Sequence, residues 1–420
     1  MNLYNVSGPS ELAGGVTVGG AKNAALKMMV ASVMVPGEVI LDRVPAITDV
    51  HLMAEVLQRL GAHVTFEGNR LTIDSSGDLI DETPYDLVTK MRASIQVLGP
   101  LLARLGRARV ALPGGDAIGS RPIDMHLKGF ERMGAKFITK HGYIEGVAER
   151  LTAANILLEF PSVGATENIL MAAVTAEGTT TIENAAREPE IQDLARFLNE
   201  SGGRIHGAGT PTVVIEGVGE LHPVKHEIIP DRIEAGTFAI GAVATGGAVT
   251  IGGVRPDHLE LPLRKLEEAG AEVTRRTDSI DVRMAGRPRP IDLVTLPFPG
   301  FPTDLQHPMM VLLAQASGPS ILTENVFESR FVFVDELARM GSSIKVEGRH
   351  AVIRGVDRLS GAPVRAPDIR AGAALVVAGL CAEGATTVYD AGHIKRGYED
   401  FHGKLQGLGA PVAYSENIEP

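Results

Sequence analysis

Residues 47–62, ITDVHLMAEVLQRLGA, have the pattern of a helix that ends in Leu60-Gly61-Ala62. Five later stretches end in the same way, with a glycine between small or apolar residues: Met133-Gly134-Ala135, Ser201-Gly202-Gly203, Ala269-Gly270-Ala271, Met340-Gly341-Ser342 and Leu408-Gly409-Ala410. Successive central glycines are 68 to 73 residues apart. Such self-similarity is typical of a chain that repeats one supersecondary unit, so we predict six copies of one unit.

Each copy begins with a glycine and a β-rich run that we predict to be a strand. The six runs are 37–41, 106–112, 178–182, 247–251, 318–322 and 384–389. An amphipathic helix follows, such as 47–60 or 190–198, and the glycine of the repeated ending stops it as a C-cap. Two strands around a polar turn come next, as in 63–66 and 70–73.

A second helix closes each copy and has a different character. The six closing segments are apolar nearly all round and rich in Ala, Gly, Val and Met: 24–35, 93–105, 165–176, 233–245, 305–317 and 371–382. A helix without a polar face is typical of a position among other helices. We therefore predict one outer and one inner helix in each copy.

Composition limits the class of protein. A length of 420 residues fits two or three domains, and 44% apolar residues suffice for packed cores. The net charge of -11 argues against a nucleic-acid partner or an anionic membrane surface. A single cysteine, Cys381, excludes an internal disulfide, and the 12 histidines show no metal-ligand spacing. We expect no metal and no cofactor. With no signal-peptide pattern and no apolar run near about 18 residues, we expect a soluble, cytoplasmic protein.

Polar residues collect at the starts of the inner helices. They are Lys22 and Asn23, Arg92, Ser162 and Thr166, Asp231 and Arg232, Thr303 and Asp304, and Asp368 and Arg370. Helix capping explains Thr303, Ser162 and Asp368. It does not explain the cations, which are unfavourable at the positive end of a helix dipole unless an anion joins them. Salt bridges within the set are the alternative explanation.

Four polar loops follow strands at the same place in the repeat: 113–124, 187–190, 325–330 and 393–396. Two adjacent glycines before Asp116 favour a loop that closes over a ligand. We predict that these loops and the inner-helix starts converge on one cleft, with Lys22, Arg92, Arg121, Arg370 and Arg396 facing Asp116, Asp304 and Asp368. Plain surface loops with solvated charges are the alternative.

Several of these stretches resemble a known family along essentially the whole chain. The stretches are Gly20-Ala21-Lys22-Asn23-Ala24-Ala25-Leu26, Arg92-Ala93-Ser94, the loop 114–124, Ser162-Val163-Gly164-Ala165-Thr166-Glu167-Asn168, Phe301-Pro302-Thr303-Asp304 and Arg396-Gly397-Tyr398. They resemble the UDP-N-acetylglucosamine 1-carboxyvinyltransferases, which are enolpyruvyl transferases. The resemblance implies an α/β (α+β) fold, a two-domain inside-out α/β barrel of six βαβαββ-like units, three in each domain. The first domain would be 22–229, and the second 1–21 with 230–420.

The resemblance also implies a reaction and its site. The enolpyruvyl group of phosphoenolpyruvate would pass to the 3-hydroxyl of UDP-N-acetylglucosamine, releasing phosphate, as the first committed step of peptidoglycan synthesis. Asp116, Asp304, Lys22 and Arg396 would be catalytic, with Asp116 as proton donor and Asp304 as base. Lys22, Arg121, Arg370 and Arg396 would hold phosphoenolpyruvate. The remaining substrate-binding positions would be Asn23, Arg92, Pro122, Ile123, Asp124, Ser162, Val163, Gly164, Val326 and Asp368. Independently of the resemblance, we expect a monomer.

Two positions depart from the family pattern. Asp116 stands where most members have the proton-donor cysteine, and Phe160 where many have a basic residue near the diphosphate. We therefore expect insensitivity to the epoxide fosfomycin, which alkylates that cysteine, since a carboxylate is a poorer nucleophile than a thiolate. Two other functions stay open: transfer of the same group to shikimate 3-phosphate, and a non-catalytic six-fold repeat scaffold.

Overall fold

The computed structural model describes residues 2–112, 114 and 123–416. Within them, contacts between Cα atoms separate two compact units. The central unit comprises the described residues of 20–229, and the terminal unit comprises 2–19 together with 230–416. The chain therefore leaves the terminal unit after its first two strands and returns to it at residue 230.

The central unit contains three repeats. Its inner helices are Lys22–Ala31, extended by the 3₁₀ turn Ser32–Met34; Leu98–Leu105, preceded by the 3₁₀ helix Arg92–Val97; and Val163–Ala173. Its outer helices are Thr48–Arg59, Tyr85–Val88, Asp124–Arg132 and Pro189–Glu200. Its strands are Glu38–Asp42, His63–Glu67, Arg70–Asp74, Arg107–Ala111, Lys136–Lys140, Tyr143–Val147, Asn155–Leu157, Thr179–Glu183, Arg204–His206, Thr212–Glu216 and Val224–Glu227.

The terminal unit contains the other three repeats. Its inner helices are Arg232–Ala244; Gln306–Leu313, preceded by the 3₁₀ turn Thr303–Leu305; and Ile369–Cys381. Its other helices are Glu260–Glu268, preceded by the 3₁₀ helix Pro256–Leu259; Phe333–Arg339; the 3₁₀ helix Ala391–Arg396; and Phe401–Gly407. Its strands are Leu3–Gly8, Ala13–Thr17, Ala248–Gly252, Glu272–Arg275, Ser279–Arg283, Leu293–Val294, Pro319–Thr323, Ser343–Glu347, His350–Arg354, Leu359–Ser360, Pro363–Arg365, Ala382–Tyr389 and Val412–Ser415.

Each repeat forms a small sheet with one pattern of pairing. In the first, Glu38–Asp42 pairs antiparallel with Arg70–Asp74, which pairs antiparallel with His63–Glu67. Val39 lies opposite Ile73, and Ile73 opposite Val64, and all three side chains are buried. Alternate strand residues face the same side of a sheet, so this register turns one apolar face toward the helices. Val224–Glu227 adds a parallel edge strand.

The first and last strands of the terminal unit share one sheet. Leu3–Gly8 pairs antiparallel with Ala382–Tyr389 on one side and with Val412–Ser415 on the other. The opening residues of the chain are thus a central strand of a sheet whose other strands come from its end. Ala13–Thr17 similarly forms a parallel pair with Ala248–Gly252.

The inner helices are buried as their composition predicts. Every residue of Arg232–Ala244 and of Ile369–Cys381 is buried. Small residues allow the close approach: a Cβ on Gly236 would lie 2.4 Å from the side chain of Leu305 on the neighbouring inner segment. Cys381 is buried in this packing, and burial raises the pKa of its thiol to about 12.

The structure confirms the repeated helix endings. Gly61, Gly134, Gly202, Gly270, Gly341 and Gly409 all have positive φ, between 82° and 109°. Only glycine adopts this region without a steric penalty, and it allows the chain to leave a helix and begin the next strand. The six predicted first strands are also confirmed, with ends within about two residues of those expected.

Two inner helices differ from the predicted ranges. The predicted segment 305–317 is helical only to Leu313, and the predicted segment 93–105 begins as the 3₁₀ helix Arg92–Val97. Pro100 and Pro308 lie near the starts of the regular helices in these two segments, where a missing N–H is tolerated. Among the residues with described positions, no helix is long and apolar enough to cross a membrane.

Candidate active site

Lys22 is the first residue of the first inner helix of the central unit. It is 8% exposed, and its Nζ lies 2.7 Å from Oδ2 of Asp49, which is buried on the adjacent outer helix. The acidic partner offsets the cost of a cation at the positive end of a helix. Asn23 follows on the same helix, and Arg92 is the first residue of its 3₁₀ helix.

Ser162 caps the inner helix Val163–Ala173, as predicted: its hydroxyl accepts a hydrogen bond from the backbone N–H of Ala165 at 3.3 Å. The carbonyl of Gly164 accepts one from the side chain of Gln96 at 3.1 Å. Ile123 and Asp124 stand at the start of the outer helix Asp124–Arg132. The Asp124 carboxylate lies 3.4 Å from the ammonium of Lys128.

Beneath these helix starts lies a buried polar network that the sequence patterns did not predict. The ammonium of Lys27 is 3.0 Å from the carboxylate of Glu167, which also accepts a hydrogen bond from Gln96 at 3.3 Å. Burial raises the pKa of Glu167 to about 7, against the lowering effect of Lys27. Asn168 contacts Nδ1 of His126, and burial lowers the pKa of His126 to about 4, helped by the charge of Arg92.

In the terminal unit, Asp304 is held by two arginines. Nη2 of Arg330 lies 2.8 Å from its Oδ1, and Nη2 of Arg370 lies 3.2 Å from its Oδ2. The arginine side chains are 2% and 6% exposed, whereas that of Asp304 is 27% exposed. The arrangement fixes both carboxylate oxygens and leaves one side of the group accessible.

Asp368 caps the inner helix Ile369–Cys381, as predicted. Its Oδ1 accepts hydrogen bonds from the backbone N–H groups of Arg370 at 2.8 Å and Ala371 at 2.9 Å. Burial would raise the pKa of Asp368, but the nearby charges of His307 and Arg330 and these N–H groups lower it. Burial also lowers the pKa of His307 to about 4.

Arg370 has a further aromatic neighbour. Its guanidinium carbon lies 5.2 Å from the centre of the Tyr398 ring, and the Tyr398 hydroxyl is 2.9 Å from that of Thr237. Burial would lower the pKa of Arg370, but interactions with Tyr398 and Asp304 outweigh it and raise the pKa above its ordinary value. The arginine therefore stays charged inside the protein.

The prediction that Thr303 is a helix cap is wrong. Thr303 is itself the first residue of the turn Thr303–Leu305, and no side chain of the described residues caps that turn. Its hydroxyl donates to Oε2 of Glu324 at 2.9 Å and accepts from Nη1 of Arg330 at 3.0 Å. A buried carboxylate and a guanidinium are stronger partners than a backbone N–H, so the side chain turns toward them.

The structure separates the two explanations of the cations only in part. The explanation by salt bridges within the set holds for Arg370, which contacts Asp304. Lys22 also forms a salt bridge, but its partner Asp49 lies outside that set. Arg396 ends the 3₁₀ helix Ala391–Arg396. Asp116, Arg121 and Pro122 lie outside the described residues, and one cleft shared by all the named cations and carboxylates stays a prediction.

The sequence patterns did not predict Arg330, Glu324 and Asp49 as members of these clusters. Arg330 was visible within the charged loop 325–330, and Asp49 as an acid in the first turn of an outer helix. Glu324 had no such signal. Over residues 2–112, 114 and 123–416, no group of three histidine, cysteine or acidic side chains could hold a metal ion.

Each unit has inner helices rich in small residues, three sheets and charged groups at the helix starts. Comparison with known proteins assigns this architecture to the class of enolpyruvyl transferases. The family model described as EPSP synthase (3-phosphoshikimate 1-carboxyvinyltransferase) matches residues 6–405. The enolpyruvyl transferase NikO from Streptomyces tendae superposes with a TM-score of 0.90 at 28% identity, covering 99% of each chain. EPSP synthase from Acinetobacter baumannii gives 0.75 at 19% identity over 99% of this chain and 100% of its own, which shows the fold alone.

Sequence relatives narrow the class. The chain is 56% identical to UDP-N-acetylglucosamine 1-carboxyvinyltransferase 2 of Carboxydothermus hydrogenoformans, over 98% of this chain and 99% of the relative. It is 53% identical to the UDP-N-acetylglucosamine 1-carboxyvinyltransferase of Corynebacterium efficiens, over 97% of both chains. The chain belongs to the UDP-N-acetylglucosamine 1-carboxyvinyltransferase family.

Proposed function

We propose that this protein transfers the enolpyruvyl group of phosphoenolpyruvate to the 3-hydroxyl of UDP-N-acetylglucosamine, with release of phosphate. One observation carries the proposal: Asp304, an accessible carboxylate fixed by two buried arginines, in a chain 56% identical over its length to a relative named for this activity. The reaction would be the first committed step of peptidoglycan synthesis, and so would serve cell-wall formation. A cytoplasmic location and a monomeric state stay predictions.

The reaction proceeds by addition of the sugar hydroxyl to phosphoenolpyruvate, followed by elimination of phosphate. The sugar hydroxyl oxygen bonds to C2 of phosphoenolpyruvate while a proton is delivered to its methylene carbon, which gives a tetrahedral adduct. Loss of a proton from that carbon and cleavage of the bond to the phosphate oxygen then release phosphate. The first step needs a base at the hydroxyl and an acid at the methylene carbon.

We assign the base to Asp304. Each carboxylate oxygen can accept more than one hydrogen bond, so the contacts with Arg330 and Arg370 are compatible with acceptance from a sugar hydroxyl as well. Held at both oxygens, the carboxylate does not need to reorient when the substrate arrives. Buried Nη1 of Arg370 and Nε of Arg330 have no hydrogen-bond partner in the part of the chain with described coordinates, so both guanidinium groups keep a donor beyond those used on Asp304.

The other roles are assigned by position in the family motifs. The phosphate and carboxylate of phosphoenolpyruvate would be held by Lys22, Arg121, Arg370 and Arg396, since several cations suit a multiply charged anion. The acceptor would contact Asn23, Arg92, Arg121, Pro122, Ile123, Asp124, Ser162, Val163, Gly164, Val326 and Asp368. The capping hydrogen bond of Ser162 at the start of the helix Val163–Ala173 supports the assignment of the Ser162 segment. No cofactor or metal ion takes part in this scheme.

Phosphate release with different acceptors tests the proposal. The purified protein is incubated with phosphoenolpyruvate and UDP-N-acetylglucosamine, shikimate 3-phosphate or no acceptor, and the product mass is determined. We expect phosphate and enolpyruvyl-UDP-N-acetylglucosamine only with the nucleotide sugar. Phosphate release with shikimate 3-phosphate alone would assign the protein to the sister reaction. Release with neither acceptor would favour a non-catalytic scaffold.

We further propose that Asp116 donates the proton and that the protein resists fosfomycin. Preincubation with fosfomycin should leave the rate unchanged, and Asp116→Cys should create time-dependent inactivation with a covalent adduct on the loop. Asp116→Asn should abolish turnover and retain substrate binding, which calorimetry can measure. Inactivation of the unmodified protein with an adduct on this loop would contradict the assignment. Cys381 cannot replace the loop thiol because it is buried and its pKa is raised to about 12.

A further inference from the structure

Glu324 is a buried carboxylate outside the set of residues that the proposed reaction uses. It is 2% exposed. Its Oε1 accepts hydrogen bonds from the Thr295 hydroxyl at 2.8 Å and from the backbone N–H groups of Val326 at 2.8 Å and Phe327 at 3.1 Å. Its Oε2 accepts one from the Thr303 hydroxyl at 2.9 Å. One side chain therefore joins three separate segments.

The direction of the hydrogen bonds at Thr303 is fixed by its partners. Arginine is a donor only, so the Thr303 oxygen accepts from Nη1 of Arg330, and the one hydroxyl hydrogen goes to Glu324. Nη2 of the same arginine donates to Oδ1 of Asp304 at 2.8 Å. A continuous chain of oriented bonds thus runs from Glu324 through Thr303 and Arg330 to the proposed base.

Local turn formation accounts for only half of this arrangement. A side chain that accepts from the N–H groups two and three residues ahead stabilises a turn, and Oε1 does this for Val326 and Phe327. The turn does not need the second oxygen. Oε2 instead reaches Thr303, which precedes Glu324 by 21 residues. The second bond couples the acceptor-contacting loop to the segment that carries Asp304.

We propose that Glu324 is a positioning residue for enolpyruvyl transfer. It holds the Asp304 segment and the loop 325–330 in register, so that the base and the backbone at Val326 meet the sugar in one geometry. The inference rests on the proposed function. A misplacement of about 1 Å at a reacting group can lower a rate about 100-fold, so a residue that never touches substrate can still control turnover.

Glu324→Gln tests the role because it keeps the shape and removes one acceptor. The amide presents N–H either toward the Thr303 hydroxyl or toward the two backbone N–H groups, so one branch is lost. We expect kcat to fall about tenfold to 100-fold and the KM for UDP-N-acetylglucosamine to rise. The KM for phosphoenolpyruvate should change less than that for the nucleotide sugar, because Arg370, which is proposed to hold phosphoenolpyruvate, is linked to Glu324 only indirectly, through Asp304. Glu347→Gln, at an exposed hairpin residue that contacts Lys345, is the matched control.

Thr303 variants test the pathway independently of the stability of the first variant. Thr303→Ser keeps the hydroxyl and should retain kcat within about threefold, whereas Thr303→Val should lower kcat as Glu324→Gln does. The double variant Glu324→Gln, Thr303→Val should have a kcat no lower than that of the slower single variant. The effects of two substitutions in one chain of hydrogen bonds are not additive. Should Glu324→Gln not fold, as judged by circular dichroism, the contrast between the Ser and Val variants decides alone.

The outcomes are distinguishable. Equal kcat in Glu324→Gln and the unmodified protein overturns the inference, as does a loss that follows the folded fraction with both KM values unchanged. Equal kcat in the Thr303 Ser and Val variants overturns it as well. Absence of transfer by the unmodified protein would instead overturn the proposed function, and in that case Glu324 has no base to position. The deciding measurement is steady-state kinetics with each substrate varied in turn on the full chain.

Discussion

Glu167 in the central unit and Asp304 in the terminal unit are both carboxylates near the start of an inner helix, but they differ in access. Glu167 is fully buried with Lys27 at 3.0 Å, and burial raises its pKa to about 7. Asp304 is 27% exposed in its side chain and is held by two arginines. The Glu167 carboxylate is therefore inaccessible to a reactant, whereas the Asp304 carboxylate is accessible to one.

This difference shows why burial and charge alone do not identify a reactive group. Two charges lose hydration when they are buried as an ion pair. Their mutual attraction offsets this desolvation cost only when the geometry is good and the hydrogen bonding is complete. At Glu167 the effect of burial exceeds the opposing effect of Lys27, so the pKa is raised. At Asp304 the cations are buried and the acid is accessible, so the protein supplies the fixed charges and leaves the working surface to the substrate.

The largest effect is expected at the open carboxylate. Asp304→Asn keeps the shape but cannot take the hydroxyl proton, and loss of a general base typically lowers kcat about 100- to 10,000-fold. Phosphate release with both substrates measures it. Asp281→Asn is the control, because Asp281 also contacts an arginine, Arg276, at 2.6 Å on the protein surface. A loss of less than about tenfold would remove Asp304 from the role of base.

At the closed carboxylate we expect a change in stability and not in kcat. Glu167→Leu leaves the ammonium of Lys27 buried without its acid, which should cost about 3–5 kcal/mol of unfolding free energy. The double variant Lys27→Met, Glu167→Leu should recover most of that loss, because a buried pair is often replaceable by apolar residues. Urea unfolding measures both. A kcat effect as large as that of Asp304→Asn, at equal folded fraction, would erase the distinction between the two carboxylates.

A pH series sharpens the same contrast. The pKa of Glu167 is raised from 4.5 to about 7 in the folded protein, so the folded state binds its proton more tightly than the unfolded state does. Its contribution to stability is therefore complete at low pH and declines as the pH rises from about 4.5 to about 7. Relative to Glu167→Gln, the unmodified protein should lose stability across this range. A flat difference between their urea midpoints would contradict the raised pKa.

The smallest effect concerns the two helix caps. Ser162 accepts one hydrogen bond from a helix N–H, at 3.3 Å, so Ser162→Ala should cost about 1 kcal/mol. Asp368 accepts two, at 2.8 and 2.9 Å, and also faces the charge of Arg330, so Asp368→Ala should cost more. Thermal unfolding compares them. Equal costs would mean that the surroundings of Asp368 add nothing to its capping.

The fold was largely predictable because its signals are local. Each glycine that ends an outer helix acts within one turn of chain, and each inner helix shows its burial in its own composition. The 3₁₀ start at Arg92–Val97 was not predictable, because 3₁₀ and α conformations share one local pattern and packing selects between them.

The site was predictable only where a charge stands out from its neighbours. Lys22, Arg370 and Asp304 are conspicuous at helix starts. Thr303 was assigned to a cap because the local pattern allows it, but the competing partners Glu324 and Arg330 come from 21 and 27 residues further along the chain. Glu167 carried a usable signal, since an acid inside an apolar helix requires a partner.

The strand Leu3–Gly8 lies between Ala382–Tyr389 and Val412–Ser415. During synthesis, both partner strands are made after the central unit, whose described strands are complete by residue 227. Leu3–Gly8 therefore stays without these strand partners until the later segments have been made. Moving residues 2–19 to a position after residue 416 would bring those strands close together in synthesis order, and refolding of the terminal unit should then become faster.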